Sequence, residues 1–201
     1  MKFLELNKKR HTIKHFTDQP VDPKDVRTAI EIATLAPSVH NSQPWKFVVV
    51  RQKNAELAKV AYGGNYDQVM EAPVTIALFT DTDLQRRARK IARVGGVKNF
   101  TEEQLQYFMQ NLPAEYARYN EQQISDYLAL NAGLVAMNLV LALTDQGIGS
   151  NIILGFDKSK VNEVLEIEER FRPELLITVG YAAEKVEPSY RLPVDEIIEK
   201  R

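Results

Sequence analysis

The chain has 201 residues, in which 26 Lys plus Arg balance 27 Asp plus Glu to a formal net charge of -1. This length suits one domain, the 44% hydrophobic content excludes wholesale disorder, and the balanced charge predicts neither a nucleic-acid nor a membrane partner. The absence of cysteine excludes disulfides, cysteine-ligated metals and thiol nucleophiles. The N-terminus lacks the apolar segment of a secretory signal, and the most apolar run, 128–143, is shorter than the roughly 18 residues of a membrane span, so we expect a cytoplasmic protein.

Helical patterns outnumber extended ones along the chain. The predicted helices are 1–9, 23–35, 54–61, 65–72, two within 82–119 that break at Gly95-Gly96 and Pro113, 122–145 and 158–165. Continuous apolar runs predict buried strands at 47–50, 74–79 and 175–179, and shorter extended or apolar stretches occur at 12–16 and 152–154. The strands are too few for a doubly wound sheet. The pattern therefore predicts an α+β fold, with helices packed around a small mixed sheet.

Sequence signatures of the common nucleotide-binding and hydrolytic sites are missing. The sequence has no GxxxxGKS or GxxxxGKT phosphate loop and no GxSxG nucleophile turn, and Gly147-Ile148-Gly149 follows a helix instead of the strand of a dinucleotide-binding fold. His11 and His15 have the i,i+4 spacing of a metal pair, but the β-branched residues between them disfavour a helix. The basic run at 86–93 is typical of a solvated helix face. We predict neither a metal site nor a nucleic-acid interface.

A first polar cluster lies near the N-terminus. If the chain is extended from Thr12, alternation places Arg10, Thr12 and Lys14 on one side. Two cations and a hydroxyl suit a phosphate group and an adjacent electron-rich ring. The alternative is a charged segment that is simply solvated.

A second polar cluster is the loop 38–43, with the sequence Ser-Val-His-Asn-Ser-Gln. It lies between Pro37 and Pro44, and prolines reduce the freedom of a loop and pre-organise its polar groups for binding. The alternative is a polar turn with Trp45 anchored in the core.

These motifs resemble those of the nitroreductase family of FMN-dependent oxidoreductases. The resemblance rests on Arg-His-Thr-x-Lys at 10–14 and on the longer Ala-Pro-Ser-x-x-Asn-x-Gln-Pro-Trp at 36–45. It continues in order through Asn65-x-x-Gln68, Glu71-Ala72-Pro73, the long apolar helix, Gly147-Ile148-Gly149, Leu154-Gly155-Phe156 and Tyr190-Arg191-Leu192-Pro193. It implies one FMN-binding domain over 1–201, with a mainly antiparallel sheet, a variable helical excursion at about 82–119 and a C-terminal arm at about 184–201.

The resemblance also implies FMN-binding roles for residues from several segments. The FMN phosphate would be held by a basic and hydroxyl set, Arg10, His11, Thr12, Ser189 and Arg191. The flavin ring would contact Lys14 at its N1/O2 edge, Asn65 and Gln68 on its pyrimidine side, and Leu154 and Gly155 near N5. A partner subunit would supply Pro37, Ser38 and Asn41 to the same flavin.

The activity implied by the family is electron transfer from NADH or NADPH, through bound FMN, to nitroaromatic or quinone-type acceptors. The flavin carries the hydride chemistry, and a single cation at Lys14 would stabilise its reduced form. Because the chain has no separate dinucleotide fold, donor and acceptor would bind in turn at one position, which gives a ping-pong mechanism. Two alternatives stay open: a dehalogenase or flavin-degrading reaction on the same fold, and a non-enzymatic flavin-binding or redox-sensing protein.

Two further segments are expected to complete the site. Aromatic residues of 105–119 would roof the acceptor pocket, with Tyr107 and Phe108 lining it beside His40, and packing into the core is the alternative. The helix at 128–143 is apolar on every face and must be buried on all sides, which one small domain cannot achieve. We therefore expect a homodimer with FMN sites at the subunit interface and the C-terminal arm packed on the partner. The alternative is a central core helix of a monomer.

Overall fold

Helices outnumber strands in the computed structural model, which describes residues 2–51, 54–97 and 100–201. In these ranges the α-helices are α1 (Phe3–Lys9), α2 (Pro23–Ala33), α3 (Asn54–Ala58), α4 (Asn65–Glu71), α5 (Leu84–Val97), α6 (Glu102–Gln106), α7 (Leu112–Tyr116), α8 (Glu121–Asp145) and α9 (Lys158–Leu165). A π-helical turn, Tyr107–Asn111, joins α6 to α7. Residue 1 of the predicted first helix and residues 98 and 99 of the 82–119 segment lie outside the described residues.

In the described residues, four strands form one antiparallel sheet. They are β1 (Trp45–Val50), β2 (Val74–Asp81), β3 (Gly149–Ile153) and β4 (Phe171–Gly180), in the spatial order β1-β2-β4-β3. Neighbouring strands pair antiparallel, and a parallel bridge joins Thr12 to Ser150 at the start of β3. The predicted α+β class, with helices around a small sheet, is confirmed.

Both faces of the two central strands are buried. Ile76 and Ile177 pack in a cluster with α2 and α8, whereas Ala77 and Phe79 pack in a second cluster with α3, α4 and α9. Burial on both sides explains why the predicted runs at 74–79 and 175–179 are apolar at every position except Thr75 and Thr178, which are themselves buried. The strand predicted at 47–50 is present as part of β1, but the expectation that it is buried is wrong, because β1 lies at the edge of the sheet and Val49 is 40% exposed.

Helix α8 is the central helix of the fold. A capping box of Asn120 and Gln123 begins it, and its Leu128, Leu139 and Leu143 are fully buried. By length and composition α8 could cross a membrane, which corrects the expectation that 128–143 is too short. However, 61% of its most apolar 18-residue window is buried inside the protein, as in the core helix of a globular protein.

One face of α8 stays uncovered by its own chain. Leu130, Leu134 and Met137 are 55%, 37% and 42% exposed. They line a shallow apolar depression together with Ala36, Pro37, Ala129, Gly133 and Asn138. We call this set the α8 stripe. The single chain therefore does not bury every face of the helix.

The segment 82–119 differs from its prediction at both expected break points. Helix α5 continues through Gly95-Gly96. A Cβ atom at Gly95 would lie 2.4 Å from the Phe100 ring, so this glycine permits close packing and does not end the helix. Pro113 lies in the first turn of α7, where its missing N–H is tolerated.

Candidate active site

The N-terminal segment runs along the open edge of β3. The Ile13 N–H donates to the Ser150 carbonyl at 3.0 Å, next to the bridge between Thr12 and Ser150. Ile13 is buried, whereas Thr12 and Lys14 are exposed. Alternation thus turns the Thr12 and Lys14 side chains away from the core.

A basic groove lies where the N-terminal segment meets the C-terminal tail. Its volume is about 370 Å³, and it is lined by Asn7, Lys8, Arg10, His11, Pro188, Ser189 and Arg191. None of these described lining residues carries a carboxylate side chain. Arg191 Nη1 donates to the carbonyls of Tyr190 at 2.8 Å and Ser189 at 3.3 Å, which holds the guanidinium against the tail. Two guanidinium groups and an ammonium group in one groove suit a phosphate.

Side-chain amides of α4 and β3 meet further along the same edge. Asn65 Nδ2 donates to the Gly155 carbonyl at 3.0 Å. Gln68 Nε2 donates to the backbone one turn earlier at 3.1 Å, and Gln68 Oε1 accepts from Asn151 Nδ2. Leu154, at the end of β3, is 68% exposed. Each amide can still form further hydrogen bonds, which suits the carbonyl and imide edge of a flavin.

The loop before β1 has an unusual backbone. His40, Asn41 and Gln43 have φ values of 53°, 49° and 45°, in the left-handed region that costs a non-glycine residue about 1–2 kcal/mol. Two bonds inside the loop offset part of this cost. Ser38 Oγ accepts from the Gln43 N–H at 3.0 Å, and Gln43 Nε2 donates to Asn41 Oδ1 at 3.0 Å. The flanking prolines are thus not the only constraint on this loop.

Helix α8 holds the same loop from one side. Tyr127 donates to the Val39 carbonyl at 2.7 Å, and Asn131 Oδ1 accepts from the Val39 N–H at 3.0 Å. Asn131 is fully buried, and its Nδ2 donates to the Tyr127 carbonyl at 2.6 Å. Sequence reasoning missed both residues. The available signal was Asn131, a polar residue that interrupts the apolar run.

Helix α5 holds the loop from another side. The Arg87 guanidinium donates to the carbonyls of Ser42, at 3.2 Å, and Gln43. The rest of the basic run is exposed: Arg86, Arg89, Lys90 and Arg93. The prediction of a solvated face over 86–93 is therefore wrong for Arg87, which points towards the loop.

Helix α7 reaches the loop through a chain of hydroxyl groups. His40 Nδ1 lies 3.2 Å from the Tyr116 hydroxyl, which lies 2.8 Å from the Tyr127 hydroxyl. Burial raises the pKa of both phenols, and the hydrogen bond to Tyr127 raises the pKa of Tyr116 further. Both phenols therefore stay protonated at neutral pH and remain hydrogen-bond donors.

The aromatic residues of the excursion lie on the same side as His40. The Tyr107 ring is half-buried, with its centroid 6.4 Å from the His40 ring in an edge-on arrangement. The centroid of the Phe108 ring lies 5.4 Å from the ring centroids of both Tyr107 and Phe100. Tyr116 is 3% exposed and belongs to the core of this helical group.

The predicted site residues thus form two separate groups in one chain. The basic groove and the amides adjoin the β3 edge, whereas Pro37, Ser38, His40 and Asn41 precede β1 at the opposite edge of the sheet. In the described part of the chain, no hydrogen bond or ring contact joins the two groups. Three strand spacings of about 4.8 Å separate the two edges.

The first group fits FMN by the chemistry of its donors. A cationic groove without carboxylates suits the phosphate, and a row of amides suits the polar edge of the flavin ring. Arg10, His11, Ser189 and Arg191 would hold the phosphate, and Asn65, Gln68 and Lys14 would lie along the ring.

The architecture is an α+β fold built on a four-stranded antiparallel sheet, and comparison with known proteins identifies its class. The model of the family described as "Nitroreductase family" matches residues 8–181. A Streptococcus pyogenes protein named "Putative NAD(P)H nitroreductase Spy0809" is 66% identical over 201 residues, which cover all of both chains. This chain belongs to the nitroreductase family.

Solved structures agree with this assignment. A nitroreductase family protein from Streptococcus pneumoniae TIGR4 is 88% identical, with a TM-score of 0.97 and full coverage of both chains. A protein from Exiguobacterium sibiricum, crystallised in complex with FMN, is 28% identical, with a TM-score of 0.90 over 100% of this chain and 98% of its own. The sequence-based family prediction is confirmed.

Proposed function

We propose that this protein is an FMN-dependent oxidoreductase that passes electrons from NADH or NADPH to quinone-type or nitroaromatic acceptors. The observation that carries the proposal is the basic groove of Arg10 and Arg191 adjoining the amides of Asn65 and Gln68. It is supported by the FMN complex of the Exiguobacterium relative and by the NAD(P)H-linked names of other relatives.

Each residue of the first group has a defined task in this proposal. Arg10 and Arg191 pair with the FMN phosphate, with His11, Thr12 and Ser189 beside it. Bound FMN supplies the hydride chemistry. Lys14 places a positive charge at the N1/O2 edge, where reduced flavin gathers negative charge, and so favours two-electron reduction. Leu154 and Gly155 offer backbone groups near N5.

The second group reaches the flavin from a second copy of the chain. Pro37, Ser38 and Asn41 lie at the sheet edge opposite the basic groove, so a partner subunit is the direct way to bring both groups to one ligand. The α8 stripe, which includes Pro37 itself, is apolar and uncovered. The C-terminal tail exposes Leu192, Ile197 and Ile198 and would pack on the partner. The proposed unit is a cytoplasmic homodimer with two shared sites.

The acceptor pocket lies between His40 of the loop and the excursion residues Tyr107 and Phe108. These rings pack edge to face and form an aromatic surface that suits a quinone or a nitroaromatic ring. Donor and acceptor use the same stacked position in turn, so initial rates follow ping-pong kinetics.

The test begins with the absorption spectrum of the purified protein. We expect flavin bands, release of FMN on denaturation, bleaching by NADPH or NADH, and parallel double-reciprocal lines with menadione or a nitrofuran. A colourless protein that does not bind added FMN would refute the proposal. A flavin that the nicotinamides reduce but no acceptor reoxidises in turnover would favour the redox-sensing alternative.

A further inference from the structure

The hydroxyl chain between His40 and α8 has a single possible direction. The Val39 carbonyl oxygen can only accept, so the one phenolic hydrogen of Tyr127 is donated to it at 2.7 Å. The Ser42 hydroxyl, 2.8 Å from the Tyr127 hydroxyl, is then a donor to Tyr127. The bond of 2.8 Å between the two phenols must then be donated by Tyr116. With its own hydrogen committed, Tyr116 can only accept from His40, at 3.2 Å.

This direction determines the tautomer of His40. The proton that Tyr116 accepts lies on Nδ1, whereas neutral histidine in water carries its proton mainly on Nε2. Within the described residues, Nε2 has no hydrogen-bond partner. The free nitrogen is thus a lone-pair base in the neutral ring and an N–H acid in the imidazolium.

We propose that His40 is the proton donor to the acceptor, and that Tyr116 and Tyr127 are positioning residues that keep its Nε2 free for this task. The inference rests on the proposed function and assigns a catalytic residue within it. Reduction of a quinone to a hydroquinone consumes one hydride and one proton. Bound FMN, reduced by NAD(P)H, would supply the hydride, and the proton leaves Nε2 of the His40 imidazolium for the acceptor oxygen.

Solvent restores the proton that His40 gives up. After the transfer, His40 is neutral, keeps its Nδ1 proton towards Tyr116, and takes a new proton on Nε2 from solvent. His40 is half-buried, so solvent can reach it between turnovers. The left-handed backbone at His40 sets the direction in which its side chain leaves the loop. The hydrogen bond to Tyr116 sets the orientation of the imidazole ring.

The charged and titratable groups around His40 come from four elements. The phenols are Tyr107 of the π-helical turn, Tyr116 of α7 and Tyr127 of α8. The charged groups nearby are Glu115, which acts on these phenols, and Arg87, which reaches the loop carbonyls. Burial raises the pKa of Tyr116 and of Tyr127, so these two phenols stay neutral and keep their hydroxyl hydrogens.

The tautomer can be measured without any turnover. The chain has three histidines, so ring ¹⁵N spectra of the FMN-loaded protein are simple, and His40→Asn identifies the signal of His40. We expect neutral His40 to carry its proton on Nδ1 in the wild type and to lose this preference in Tyr116→Phe. Tyr119→Phe is the matched control, because its hydroxyl bonds Glu115 outside the chain of hydroxyls. A neutral Nε2–H form in the wild type, or no change in Tyr116→Phe, would overturn the proposal.

Stopped-flow kinetics test the catalytic role and separate it from the proposed function. Asn tolerates a left-handed backbone, so His40→Asn should fold. In this variant we expect the rate constant for reoxidation of the reduced protein by menadione to fall about a hundredfold, at the lower end of general-acid effects. The decrease of this rate constant with rising pH should also disappear. The reductive half-reaction with NADPH transfers a hydride alone and should fall far less. Equal losses in both half-reactions would overturn the His40 assignment, whereas a wild type that binds no FMN would refute the proposed function and this role with it.

Discussion

The side-chain amide of Asn65 and the backbone of Gly155 lie in direct contact. Asn65 Nδ2 donates to the Gly155 carbonyl at 3.0 Å and lies 2.6 Å from the point that a Cβ on Gly155 would occupy. The Tyr62 N–H donates to the same carbonyl at 2.9 Å. A glycine at 155 is therefore needed for the amide to reach the end of β3, and this contact orients one of the proposed flavin ligands.

Gly155→Ala should displace Asn65 and weaken FMN binding. The added Cβ overlaps the amide nitrogen, and loss of one oriented hydrogen bond costs about 1 kcal/mol, or roughly a fivefold rise in the FMN Kd. Fluorescence titration of the apoprotein measures this. Gly64→Ala is the control, because a Cβ there meets no atom within 4 Å. Equal affinities for FMN in the wild type and Gly155→Ala would contradict the role given to Asn65.

Arg10→Ala and Arg191→Ala should each weaken FMN binding while leaving riboflavin binding nearly unchanged. A charge-assisted bond to phosphate contributes about 1.5–3 kcal/mol, so each loss raises the FMN Kd about tenfold or more. Riboflavin lacks the phosphate and reports only on the ring site. Arg201→Ala is the control, because that side chain pairs with Glu199 at 3.0 Å outside the groove. A double variant that retains wild-type affinity for FMN would show that the groove does not bind the phosphate.

Leu134→Glu should dissociate the proposed dimer and release FMN. A carboxylate in the centre of the α8 stripe would have to be buried without a partner in an interface of the obligate type, which buries on the order of 2,000–5,000 Å². Sedimentation of the variant should give the 22.9 kDa monomer. Val94→Glu, at a 52% exposed site on α5, is the control and should not change the sedimentation. A wild type that sediments as a yellow 22.9 kDa species would contradict both the dimer and the shared site.

Tyr116→Phe should make the protein less sensitive to alkali. Burial raises the pKa of Tyr116, so the unfolded chain loses this proton near pH 10 while the folded chain keeps it. The resulting stabilisation is present below the unfolded pKa and is lost as the pH rises above it, by at most about 1.4 kcal/mol per pH unit. Urea unfolding from about pH 9 to 11 should show a shallower decline in Tyr116→Phe.

Tyr190→Phe provides the comparison for this pH series, because Tyr190 is 78% exposed. It should follow the wild-type decline. If the unfolding free energies of the wild type and Tyr116→Phe decline equally with pH, Tyr116 ionises as readily in the folded chain as in the unfolded chain. That result would contradict the raised pKa of Tyr116.

Signals between near neighbours in the sequence were sufficient for most helices and strands. Asp22 with Pro23, and Asp157, mark helix starts that the structure places within a residue of prediction, and the apolar runs of β2 and β4 are recovered. Such signals depend on capping bonds two or three residues apart and on burial, both of which are properties of short segments. The two motifs at 10–14 and 36–45 likewise identified the family.

Contacts between distant segments decided the rest. Gly95 remains helical because Phe100 packs against it, and Arg87 turns inward because the loop carbonyls of Ser42 and Gln43 need a donor. The hydrogen bond from Tyr127 to Val39 joins residues 88 positions apart, so no local sequence pattern predicts it. Sequence alone therefore determined the family and the chemical character of the candidate ligands. Only the tertiary structure, by closing these long-range hydrogen bonds, determined the shape of the loop and the contact between His40 and the Tyr116 hydroxyl.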